Sequence, residues 1–307
     1  MIVILIPFFL VAQIPVEESA WKYGPEYTFE VAVNLSATVE KSMELVKSHT
    51  INTLLVCRPK NSDALSCHLQ VPETCKTTNE KELNKINCTS FNPDEFEIKF
   101  NKSGVESLLV QKNISNLHLN IIKELANQLS IGANLYEKLN EKNFEAKENL
   151  TIGECKVNFK INHAPREQNS RKDVSFKLDI LPFPDKISKD NLEIEKSRNL
   201  KDCTNFVNYV WGNYGTGNES LLAPGIDTQL DSVTTRMNVT DTSFSSCTHT
   251  EAVKYLGAVA KRTKLTIKTN VTLKNIEAAK DKLPVISNPG TTPIFVKINV
   301  QELKTNQ

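Results

Sequence analysis

A chain of 307 residues, 39% hydrophobic and 24% charged, has the composition of a globular protein and is long enough for one large all-β domain or two average ones. Its 37 lysines and arginines stand against 36 aspartates and glutamates, so the formal net charge is only +1 and no global field favours nucleic acid or an anionic membrane. Any charged docking has to be local.

The chain opens on an apolar run, Ile2 to Ala12, too short to span a bilayer and followed by the polar stretch Pro15 to Ala20. We read residues 1–20 as a secretory signal, although its first residues carry no Lys or Arg. Cleavage is expected between 12 and 20, where Ala12 and Ala20 each offer a small residue. The competing reading is a buried N-terminal strand. Residues 21–307 then form the mature domain, in which no segment is apolar and long enough to span a membrane.

Alternation of apolar and polar residues predicts strands through most of that domain. Tyr27, Phe29, Val31, Val33 and Leu35 share one face of the first. Ile51 to Cys57 and Leu65 to Val71 flank the polar link RPKNSDA and read as a hairpin, with a polar loop from Pro72 to Asn92 after it. Phe96, Ile98 and Phe100 begin a second hairpin that turns over Asn101 to Gly104 and returns through Val105 to Val110. After Asn116 the period becomes helical: Leu119, Ile122, Ala126 and Leu129 form a stripe beside Ile121 and Leu125, and Gly132 follows the last apolar residue. This predicts a helix over 119–131.

Asn134 to Asn149 is polar and charged and reads as a short helix or a link. Strands follow at Cys155 to Ile161 and Val174 to Ile180, with a loop over Asn162 to Lys172 between them. A mixed-charge strand leads to Cys203, and further alternation covers Arg236 to Thr240, Lys264 to Leu273 and Ile294 to Val300. The fold class is mainly β around one strongly apolar helix; periodicity alone reads that helix as amphipathic and lying on a sheet, while so many alternating strands suit a closed sheet with it as the plug.

Seven cysteines contain no CxxC, which removes zinc-ribbon and thioredoxin-like readings, and in an exported chain disulfides are the default. Folding the first hairpin about Lys60 to Ser62 brings Cys57 near Cys67, and Cys75 with Cys88 would then close the following loop. Four cysteines allow three pairings, so these stay open, as does the role of Cys247. Eight Asn-x-Ser/Thr sequons stand at Asn34, Asn87, Asn101, Asn113, Asn149, Asn218, Asn238 and Asn270. Several fall on polar strand faces or turns, where glycans would meet no core.

No GxSxG, HExxH, P-loop or Rossmann pattern is present, and the five histidines are scattered apart from Cys247-x-His249. We expect neither enzyme activity nor a metal or cofactor site.

The order FEIKF, turn, SLLV, polar link and NIIKELANQLSI over 96–131 resembles the N-terminal module of vitellogenins and other large lipid transfer proteins. So do the WKYGPEY opening, GEC at 153–155, and NLKDC-x-x-x-VNY-x-x-G ending at Gly212. The resemblance implies an antiparallel β-barrel wrapped around the helix, and a disulfide between Cys155 and Cys203. It also implies a receptor-binding strand whose basic positions are Lys196, Arg198 and Lys201. A lipoprotein-receptor-type protein, presenting carboxylates around calcium, or another lipoprotein component is the partner so implied. A plain solvated strand, with Glu193 and Glu195 cancelling the charge, is the alternative for that stretch. In the family a large helical domain and lipid-enclosing sheets follow near the point where this chain stops. The functional expectations are a secreted receptor- or partner-binding module, a small lipid carrier, or the N-terminal piece of a longer vitellogenin-type yolk lipoprotein.

Overall fold

The computed structural model describes residues 2–6, 10–13, 21–39, 45–78, 86–90, 95–138, 141–165, 176–180, 190–206, 227–256 and 261–295. Two strands come first, β1 (Ile2–Ile6) and β2 (Leu10–Gln13). They form an antiparallel hairpin, and β11 (Lys177–Ile180) pairs with β2. The run that reads as a signal thus forms strands in the chain as a whole.

The remaining strands build one sheet. In chain order they are β3 (Pro25–Val39), β4 (Leu45–Asn61), β5 (Ala64–Thr78), β6 (Ile86–Ser90), β7 (Phe96–Asn101) and β8 (Gly104–Gln111). After the helix α1 (Asn116–Gln128) come β9 (Asn143–Leu150), β10 (Gly153–Pro165), β12 (Asp190–Thr204), β13 (Asp227–Val239), β14 (Phe244–Leu256), β15 (Lys261–Ala278) and β16 (Pro289–Pro293). The wall runs β8-β7-β5-β4-β3-β15-β14-β13-β12-β10-β9, every neighbour antiparallel, and β9 returns to β8 in parallel. Eleven strands therefore close a barrel; β16 lies outside the ring on β8, and β6 on β5.

The two-residue period fixes which side faces in. On β3, Tyr27, Phe29, Val31, Val33 and Leu35 are buried while Glu30 and Asn34 are exposed. Leu265, Ile267, Val271 and Leu273 of β15 do the same beside them. The helix fills the space they enclose, with Ile121, Ile122, Leu125, Ala126 and Leu129 in the core. Its polar side is covered as well: Lys123 and Gln128 are as buried as the apolar stripe. A helix lying on an open sheet would keep that side in water, so the burial of both sides marks α1 as the plug of the barrel.

Sequence and structure differ in places. The helix lies three residues earlier than its apolar stripe suggests, because Ser115 caps it by accepting from the His118 N–H at 3.2 Å. The stretch expected as a short helix or link contains a 3-10 turn at Leu135–Lys138 and then β9. The expected loop after Pro72 instead extends β5 to Thr78 and adds β6. β16 ends at Pro293 and Ile294 packs into the core, and most of the strand expected over 294–300 falls on residues 296–307, which lie outside the described set.

Two disulfides clamp the wall. Cys57 joins Cys67 across β4 and β5, and Cys155 joins Cys203 across β10 and β12. On the entropic model the closed loops stabilise by about 3 and about 4 kcal/mol respectively. Backbone register also sets Cys75 opposite Cys88.

Candidate functional site

A connected network of buried polar side chains lies inside the barrel. On β12 the inward positions are Leu192, Ile194, Lys196 and then Arg198; the Lys196 side chain is 0% exposed and that of Arg198 3%. Facing them from β9 is Glu148, 1% exposed. Lys196 Nζ donates to Glu148 Oε1 at 2.5 Å and to the backbone carbonyls of Ser130 and Ile131 at 3.0 and 3.1 Å. Those carbonyls lie just past the C-terminal end of α1, where unpaired acceptors and the helix dipole favour a cation. The other carboxylate oxygen, Oε2, faces Arg198 Nη2 at 3.5 Å.

Arg198 extends the network across the barrel. Its Nη1 donates to Thr235 Oγ1, which is 2.7 Å from Thr248 Oγ1, and Gln128 of the helix donates to Thr248 at 2.8 Å. Ser246 donates to Gln128 Oε1 at 3.0 Å. On the helix side Glu124 accepts from Thr151 Oγ1 at 2.8 Å. Burial raises the Glu124 carboxyl above its ordinary value, against the opposing Thr151 bond and Arg198 charge. Burial likewise pushes the Lys196 ammonium down to about 8, with Glu148 acting in the other direction. The neighbouring Arg198 charge lowers it as well.

Two glycines make this packing feasible. Gly132 has φ +78°, and a Cβ there would overlap the Glu148 carboxyl group. Gly104 has φ +104°, and its Cβ would stand 2.9 Å from Ser130 Oγ.

Beside the network lies a cavity of about 40 Å³, bordered by Ile121, Leu125, Val33 and Ile267 and by Glu124 and Arg198. That volume suits roughly three water molecules. Pockets for small-molecule ligands run from about 300 Å³ upward.

Burial corrects one expectation. Lys196 and Arg198 do share a strand face, but it is the face of Leu192 and Ile194, so neither side chain reaches an external partner. Of the three basic positions, Lys201 is exposed. The outer face of β10 and β12 carries Lys156, Lys160, Ser197 and Glu195, with Lys156 paired to Glu145 at 2.6 Å and Glu195 to Arg236 at 3.1 Å. A shallow open groove crosses it between Glu145, Asn158, Lys160 and Glu195.

A second polar cluster sits at the outside of β4 and β5. Arg58, 5% exposed, holds Asp281 Oδ1 at 2.8 Å and the carbonyls of Asp281 and Tyr23, tying the chain after β15 to the wall. Nearby, burial lifts the Glu95 carboxyl to about 7, opposed by Arg58, and lowers His68, whose Nδ1 is 3.7 Å from Glu95. No group of three or more His, Cys, Asp or Glu among the described residues could hold a metal.

Among the sequons, Asn34, Asn101, Asn113 and Asn238 are exposed and Asn149 and Asn270 half-buried. The side chain of Asn87 and all of Asn218 lie outside the described set. Cys247 carries no disulfide and lies beside Arg236 and Asn270 on the outer face. No described helix is long and apolar enough to cross a membrane.

Comparison with known proteins agrees with this architecture. Residues 21–282 match the family model of the vitellogenin N-terminal domain. Vitellogenin-A1 of Aedes aegypti is 28% identical over 175 residues, covering 48% of this chain and 8% of that protein. Vitellogenin-1 of Solenopsis invicta is 22% identical over 226 residues, covering 67% of this chain and 13% of that protein. The chain thus spans about a tenth of the length of these relatives. A solved lipovitellin structure, described for its lipid–protein interactions, superposes with a TM-score of 0.59 at 9% identity, over 91% of this chain and 28% of that one. The plugged barrel and the family match together place the chain: it belongs to the vitellogenin N-terminal domain family.

Proposed function

We propose that this chain is a secreted, glycosylated recognition module that binds a lipoprotein-receptor-type protein or another lipoprotein component through the outside of its barrel. The observation that carries the reading is the filled interior: among the described residues, the helix and ion cluster occupy the barrel and the cavity beside them is about 40 Å³, well below the roughly 300 Å³ of small-molecule pockets. With Lys196 and Arg198 turned inward, the docking face becomes the outer side of β10 and β12, where Lys160 and Lys201 are exposed cations suited to carboxylates of a calcium-loaded receptor repeat. Replacing both in K160E/K201E lowers affinity for such a receptor ectodomain at least about tenfold, by charge reversal at two contacts. Unchanged affinity in the folded variant rejects the face.

Export removes residues up to a point between 12 and 20, taking β1 and at least Leu10 to Ala12 of β2, and so leaving β11 without the strand it pairs with. N-terminal sequencing of the secreted protein reads the site directly. Glycosidase treatment reads the sequons as a mass shift.

The alternative is a small lipid carrier, favoured by the likeness to lipovitellin. Solvent extraction of the purified secreted protein followed by lipid mass spectrometry separates the two readings. Stoichiometric lipid replaces the recognition module with the carrier. The size of the secreted protein on a denaturing gel tests whether the sequence is the N-terminal piece of a longer vitellogenin-type lipoprotein.

A further inference from the structure

The barrel is closed unevenly. Among the described residues, every other pair of neighbouring strands in the ring shares at least four residue pairs. β8 and β9 share one, Gly104 opposite Asn149, supported by the Asn149 N–H donating to Ser103 O at 3.1 Å. The ladder alone is a weak joint, yet it is the joint that makes the sheet a barrel.

Side chains and the helix end supply what the ladder lacks. Directly behind the joint, the segment after α1 is wedged between the two strands. Ser130 packs on Gly104 of β8, and Gly132 lies under the Glu148 carboxylate of β9. Lys196 holds that carboxylate and the Ser130 and Ile131 carbonyls with one ammonium group, and so fastens β9 and the helix end to β12. Arg198 contributes the second cation at 3.5 Å. The cavity bordered by Glu124, Leu150, Thr151 and Arg198 begins just inside.

We propose that the β8–β9 joint is a gate and that the buried Glu148–Lys196 pair is its latch, so that loss of the pair parts β9 from β8 and uncovers the helix-lined interior while the rest of the barrel stays folded. The inference is independent of the recognition reading. A module that never opens would still dock through its outer face.

Native-state hydrogen exchange on the whole chain tests the gate. In the unaltered protein, the Asn149 amide, which donates to the Ser103 carbonyl across the joint, exchanges through an opening that leaves the β3–β15 ladder protected. In Glu148→Gln, exchange at the joint rises at least about tenfold relative to that ladder, and binding of an apolar dye rises with it. A cross-link in S103C/N149C, formed across the joint, returns both readouts to the unaltered level, and reduction releases them again. Equal acceleration over the whole barrel, or no change at the joint, overturns the latch. If Glu148→Gln does not fold, the unaltered protein and S103C/N149C decide the matter. Joint amides that exchange only with global unfolding, and are unaffected by the cross-link, overturn it.

Discussion

The strand pairs β3–β15 and β8–β9 are both joints of one barrel wall, and they are made differently. The first registers fifteen residue pairs with buried Val31, Val33, Leu265 and Val271 behind it. The second registers a single pair, backed by a lysine, an arginine and two carboxylates. A ladder spreads its stability over many replaceable contacts, whereas in a buried ion cluster the loss of one group strands its partner as an uncompensated charge. The barrel is therefore tolerant of single losses along most of its wall and intolerant at one place.

Substitutions can test that contrast in descending order of effect. Both joints rest on the plug, so Ile122→Asp, which buries a charge with no partner, is expected to cost about 5 kcal/mol and, if the chain is exported as proposed, to abolish secretion of folded protein. Normal secretion would place the helix outside the barrel. Lys196→Met leaves Glu148 with a single distant cation and should cost about 3–5 kcal/mol in denaturant unfolding. Adding Glu148→Leu should recover most of that loss, since the pair as a whole contributes little net stability; failure to recover would mean the charges stabilise outright. Ile267→Val on the ladder side should cost about 1 kcal/mol with an unchanged m-value.

The smallest effect concerns pH. Glu95 is held up to about 7 by burial, so between 4.5 and 7 the folded protein keeps a proton the unfolded chain releases, and stability falls as pH rises through that window. His68, lowered by burial, works in the opposite sense just below 6.5. Because the Glu95 side chain is still 29% exposed, solvent screening keeps its share to about 1 kcal/mol, and Glu95→Gln should gain Tm on the unaltered protein from pH 4.5 to 7. A constant difference across the window would show that the carboxyl does not titrate there.

The tolerant part of the wall was legible in the sequence, and the intolerant part was not. Tyr27 to Leu35 and Phe96 to Val110 announce their strands because every inward position is apolar. In β9 the inward positions are Phe144, Ala146, Glu148 and Leu150, and the carboxylate breaks the alternation in so short a run. In β12 the same substitution of charge for carbon made Lys196 and Arg198 read as surface. The period held the correction all along, because both residues stand two and four positions beyond Ile194 on its face. What no local pattern supplies is the partner, 48 residues away in Glu148, that makes burying Lys196 tolerable.

The Cys155–Cys203 bond has a consequence for a protein exposed to proteases. It brackets residues 156–202, including everything that joins β10 to β12. A single backbone cut anywhere in that span leaves both pieces covalently attached on either side of the same ladder. Nicked and intact molecules then migrate together under non-reducing conditions and separate only when the disulfide is reduced, so damage to this connection can pass unnoticed while the barrel still stands.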